Sequence, residues 1–98
     1  MTRKEAKELV DKIASGAIPL ERTDHFLDEM GIDGFGMQDV FGILRTPSSM
    51  SLPKFSEEHQ NFKVEVVGND MDGQRSRVVL GLRADGPCVG ITVMPAHR

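Results

Sequence analysis

The apolar residues of this chain change their period at Pro47. Before it they recur every three to four residues, and from Asn61 to Met94 they recur every second residue. One backbone element cannot satisfy both spacings, so helices come first and an antiparallel sheet follows. Ninety-eight residues bury roughly 60–70% of their unfolded surface, enough for one core and no second. The expected architecture is a single α+β domain over 1–98, with a helical half (1–45), a connecting segment (46–59) and a β-meander (60–94). Two to three N-terminal helices would pack on one face of a three- to four-stranded antiparallel sheet.

Thr2 with Glu5 three residues on has the form of a capping box, and Ala6, Leu9, Val10, Ile13 and Ala14 then make one apolar stripe that Gly16 ends. Pro19 suits a first helical turn, and Leu20, Thr23, Leu27 and Met30 repeat at helical spacing up to Gly31, with Asp24 and His25 inside this second helix. The glycine-rich run from Gly31 to Gly36 reads as a loop, and Met37, Val40, Phe41 and Leu44 mark a short third helix weakened by Gly42. A short edge strand near Leu52 to Phe55 would tolerate Pro53. Phe62, Val64 and Val66 alternate with Lys63 and Glu65, and a hairpin loop through Gly73 leads to a second strand that buries its even-numbered side. Arg75 and Arg77 then face outward. A turn at Ala84 to Pro87 precedes the last strand, in which Val89, Ile91 and Val93 oppose Cys88, Gly90, Thr92 and Met94.

Composition narrows the function. The net charge of −3 argues against a protein that coats nucleic acid, but the acidic excess lies in residues 1–45, with six basic and nine acidic side chains, against six of each in 46–98. A local cationic patch is compatible with that balance. With no Trp and no Tyr, aromatic platforms for bases are scarce. The lone Cys88 excludes an internal disulfide and reads as a small buried hydrophobe. The first twelve residues lack the apolar core of a secretory signal, and no stretch approaches the ~20 apolar residues of a membrane span, so the expected location is cytoplasmic.

His25, His59 and His97 have no Cys or His partner at chelating spacing, so neither a metal nor a cofactor is expected. No serine lies in the sharp strand-to-helix turn of a nucleophile. The constellation left is Lys63, Arg75, Arg77, His97 and Arg98, with His59 close in sequence. If the strands pair in order, Lys63 and the arginines share the sheet face opposite the helices and the tail brings His97 and Arg98 towards it. Such a face suits in-line RNA cleavage, which needs a base for the 2′-hydroxyl, cations for the charge on phosphorus and an acid for the leaving oxygen. The same residues equally describe an ordinary solvated sheet face with Glu65-to-Arg pairs.

Lys7-Glu8-Leu9-Val10, Gly16-Ala17-Ile18, the run from Asp28 to Asp33, and above all Gly36-Met37-Gln38-Asp39-Val40 with Gly42-Ile43-Leu44 resemble the N-terminal half of the motility quorum-sensing regulator (MqsR) toxins. The resemblance continues through Ser49-Met50 and Phe55-Ser56-Glu57 to Gly73-Gln74. It is also similar to a broader group of small bacterial domains with an early helical histidine and an Asp-Val helix, matched by His25 and Asp39-Val40. The resemblance implies a RelE-like fold, metal-independent endoribonuclease activity and neutralisation by a cognate antitoxin. On that reading Lys63, Arg75 and Arg77 hold phosphate, His97 or His59 moves protons, and Arg98 is an auxiliary RNA contact. The family's strand tyrosine has no counterpart here. The alternative is the same scaffold without catalysis, acting as a protein-binding module by strand addition or helix packing. A helix-turn-helix reading would need a basic recognition helix, and Met37 to Leu44 carries no Lys or Arg.

Overall fold

Thr2 opens the first helix as its spacing predicts. The Thr2 hydroxyl accepts from Glu5 N at 3.1 Å, and the Glu5 carboxylate accepts from Thr2 N at 3.0 Å. Helix α1 (Arg3–Ser15) buries Ala6, Val10, Ile13 and Ala14 and ends at Gly16, whose φ of 81° is left-handed. This computed structural model describes residues 1–96; beyond α1 the elements are β1 (Leu20–Arg22), α2 (Asp24–Asp33), α3 (Met37–Arg45), β2 (Ser49–Met50), β3 (Lys54–Ser56), β4 (Asn61–Asn69), β5 (Arg75–Leu82) and β6 (Cys88–Pro95). The architecture is α+β.

The sheet has six strands among the described residues, in the order β1-β6-β5-β4-β2, with β3 also on β4. That corrects the expectation of three to four strands. The hairpin-linked strands β4, β5 and β6 form the anticipated antiparallel meander, and the additions are short: β1 runs parallel to β6, while β2 and β3 divide the outer edge of β4 between them. Leu52 and Pro53 interrupt that edge, where a missing N–H costs no ladder bond. The segment 46–59 is therefore part of the sheet rather than only a connection.

A second correction concerns Leu20. Its helical spacing to Thr23 and Leu27 is coincidental, because Thr23 is the N-cap of α2 and Leu20–Arg22 just before it is a strand. Thr23 Oγ1 accepts from Phe26 N at 3.1 Å and donates to Gly90 O at 3.0 Å, so one hydroxyl both starts the helix and ties it to β6. Gly31 does not stop α2, which runs on to Asp33 and ends at Gly34 with φ 73°.

The core lies between the helices and one sheet face, where α2 packs on β6, α3 on β4 and β5, and α1 chiefly on α3. Val64, Val66, Val78, Leu80, Leu82 and Val93 point into it with Phe26, Ile43 and Leu44, all essentially fully buried. In β5 the even-numbered residues are the buried ones, as the alternation requires. In β6 the alternation shifts: Val79 pairs with Thr92 and Leu80 with Gly90, leaving Ile91 as a bulge. Cys88 and Gly90 face the core before the bulge, and Val93 and Pro95 after it.

Candidate functional site on the uncovered sheet face

Residues of opposite parity on β4 and β5 turn away from the helices. Cross-strand register places Lys54 beside Lys63, Lys63 beside Gly81, Glu65 beside Val79, Val67 beside Arg77 and Asn69 beside Arg75. Paired residues in a ladder share a face. Among the described residues, the β4–β5 half of this face thus carries Lys54, Lys63, Arg75 and Arg77 against the single carboxylate of Glu65, in a chain whose net charge is −3.

At one end, Arg77 Nη1 donates to Glu65 Oε1 at 3.2 Å and Nη2 to Ala96 O at 2.7 Å. Its Nε–H is buried and has no partner among the described residues. Arg75, Arg77, Gln74, Val67 and Ala96 line a concavity of about 320 Å³ there. The end of β6 crosses towards both arginines, since Ala96 N also donates to Arg75 O at 3.0 Å. His97 and Arg98, placed by the sequence at this face, lie outside the described residues.

At the other end a second concavity, about 270 Å³, is lined by Thr23, His25, His59, Asn61, Val89 and Ile91. Gly81 is four residues from Arg77 along β5, so the two ends are roughly 13 Å apart. His25 is the second residue of α2, brought here by the Thr23 tie to β6. His59 belongs to the turn between β3 and β4, where its N–H donates to Ser56 Oγ at 3.3 Å and the next residue, Gln60, takes a left-handed φ of 53°. Each imidazole has a carboxylate near it: Glu29 is 3.7 Å from His25 and Glu58 is 3.8 Å from His59. His59 is therefore grouped with His25, which the constellation read from sequence left out, and not with the arginines.

Asn61 completes this end. It is 5% exposed although it lies on the uncovered face, and its Oδ1 has no hydrogen-bond partner among the described residues. Its amide lies directly over Gly81, at a position that any side chain larger than hydrogen would claim. The signal in the sequence was a glycine inside a strand, a mark of close approach. Among the described residues no group of three or more His, Cys, Asp or Glu side chains gathers at either end.

Asp39, which carried the family resemblance, and Arg45 at the end of α3 have structural duties. Asp39 accepts from Gly36 N at 2.9 Å and from Met71 N at 3.0 Å, joining the start of α3 to the β4–β5 hairpin. Arg45 Nε donates to Ala14 O at 3.2 Å and its guanidinium stacks 5.8 Å above Phe41, so the single cation of α3 is spent on the end of α1. Comparison with protein-family models, with curated proteins and with solved structures gives no match.

Proposed function

We propose that this domain binds single-stranded RNA across the uncovered face of β4 and β5 and cleaves it without a metal, as a RelE/MqsR-like toxin neutralised by a cognate antitoxin. The observation that carries the reading is the concentration of Lys54, Lys63, Arg75 and Arg77 on one helix-free face of an acidic chain. Clustered cations bind phosphates by releasing counterions, and that depends on local rather than total charge. Lys63 and Arg75 take phosphate oxygens. Arg77, held by Glu65 and Ala96, adds its positive charge to the face. His59 accepts the 2′-hydroxyl proton as that oxygen bonds to phosphorus. His25, in its protonated form, returns a proton to the 5′ oxygen as its bond to phosphorus breaks.

The second reading, a catalytically inactive protein-binding module, is favoured by one observation: two of the three nitrogens of Arg77 are already engaged within the chain. A single experiment separates them. The purified chain is incubated with a labelled oligoribonucleotide in EDTA, with binding followed by anisotropy across a salt series and products by gel. The RNA reading expects cleavage, and affinity falling with salt at a log–log slope of about −2 to −3 for three to four phosphate contacts. Lys63→Ala with Arg75→Ala should weaken binding at least about tenfold, equivalent to roughly 1.4 kcal/mol, with the thermal transition unchanged. Binding without cleavage leaves only an RNA-binding scaffold. Absence of salt-dependent binding overturns the reading in favour of the protein-binding module.

A further inference from the structure

The concavity between α2, the β3–β4 turn and β6 differs chemically from the cationic half of the same face. Its lining holds two imidazoles, a threonine, an amide and the apolar side chains of Val89 and Ile91, with no Lys, Arg, Asp or Glu. A phosphate would find no fixed cation there. A neutral, flat group with a polar edge would find apolar surface for its faces and an amide for its edge.

Asn61 is the reason to regard it as built for a ligand. A buried amide oxygen left without a hydrogen bond is destabilising, and Asn61 Oδ1 is in that condition at 5% exposure. The fold makes room for it: Gly81 leaves space over the sheet, and Gln60 adopts a left-handed φ of 53° immediately before it. Strain and an unpaired polar group kept together at one point are features that functional sites retain. At about 270 Å³ the space falls just below the ~300–1,000 Å³ of drug-sized sites, a size suited to a single heterocycle. An asparagine amide offers an acceptor beside a donor, the pattern that pairs with a nucleobase edge.

We propose that this concavity holds one unstacked nucleobase lodged against Val89 and Ile91, with His25 and His59 at its rim, and read by the Asn61 amide, whose buried oxygen must turn outward to meet it. The inference rests on the RNA reading and deepens it: the cationic half holds the backbone, and Asn61 sets base preference. Sequence-specific recognition of RNA generally uses such splayed-out bases.

The test has two arms. In the first, the wild-type chain is titrated with each of the four ribonucleosides, and separately with inorganic phosphate, while the Asn61 side-chain NH₂ resonances are followed by NMR. At least one nucleoside should shift them and phosphate should not; no shift, or an equal shift with phosphate, overturns the proposal. The second arm compares binding of the four homopolymeric oligoribonucleotides and an abasic oligomer. A preference of about fivefold or more for one base should collapse in Asn61→Ala and in Gly81→Ala, while the salt slope stays as in wild type. If wild type binds RNA but treats the abasic oligomer equally, the base pocket fails and the RNA reading stands. If it binds no RNA, that reading fails, and the nucleoside titration still decides the pocket.

Discussion

Arg77 shows how one side chain serves both fold and surface. It is 28% exposed, holds Glu65 and the Ala96 carbonyl, and keeps one N–H unspent. Glu65→Gln should cost under about 1 kcal/mol of stability, as half-exposed ion pairs do. It should also tighten RNA binding at low salt, because it removes the only carboxylate among the described residues on that half of the face; an anisotropy titration at two salt concentrations checks both the gain and its screening. The Glu5 carboxyl is held below its ordinary value, first by the Thr2 backbone N–H and then by the Thr2 hydroxyl. A carboxylate depressed on folding stabilises above its unfolded pKa, and the effect is lost as pH falls through the folded value. Thermal melts should therefore show a small acid-side loss in wild type that is absent in Glu5→Gln.

At the scale of elements, two glycines set how the helices lie on the sheet. The Phe26 ring covers Gly90 so closely that a Cβ there would be 2.8 Å from it, and Gly68 lies under the last carbonyls of α3 at Ile43 and Thr46. Gly90→Ala should cost about 1–3 kcal/mol through overpacking. Thr23→Ala should cost about 1–2 kcal/mol through the lost cap alone, and denaturant melts measure both. The α1 box, the Gly16 stop, the third helix and the even-numbered burial of β5 were legible because each is a local pattern with one solution. Leu20 was not: three residues contain too little periodicity to separate a helical turn from a strand, and only pairing with β6 decides it. The Ile91 bulge was hidden for the same reason, since register belongs to two strands at once.

For the whole molecule, the net charge conceals the arrangement that matters. The acidic excess lies in the helical half, and the sheet face away from it collects Lys54, Lys63, Arg75 and Arg77. Lys63, Arg75 and Arg77 could be read onto that face from alternation alone, because period two assigns faces without further knowledge, whereas Lys54 joins them only through the pairing of β3 with β4. The pocket half could not. His25, His59 and Asn61 come from a helix, a turn and a strand end, and their meeting depends on Thr23 binding β6 and on the room that Gly81 leaves for the Asn61 amide. No helix among the described residues is long and apolar enough to cross a membrane. The most direct measurement is a backbone NMR titration of the chain with a short oligoribonucleotide. Shifts confined to Lys54, Lys63, Arg75, Arg77 and Val79 and to the pocket residues His25, His59 and Asn61, with the outer faces of α1 and α3 silent, are the predicted result. Shifts centred on the helices, or none at saturating RNA, would contradict it.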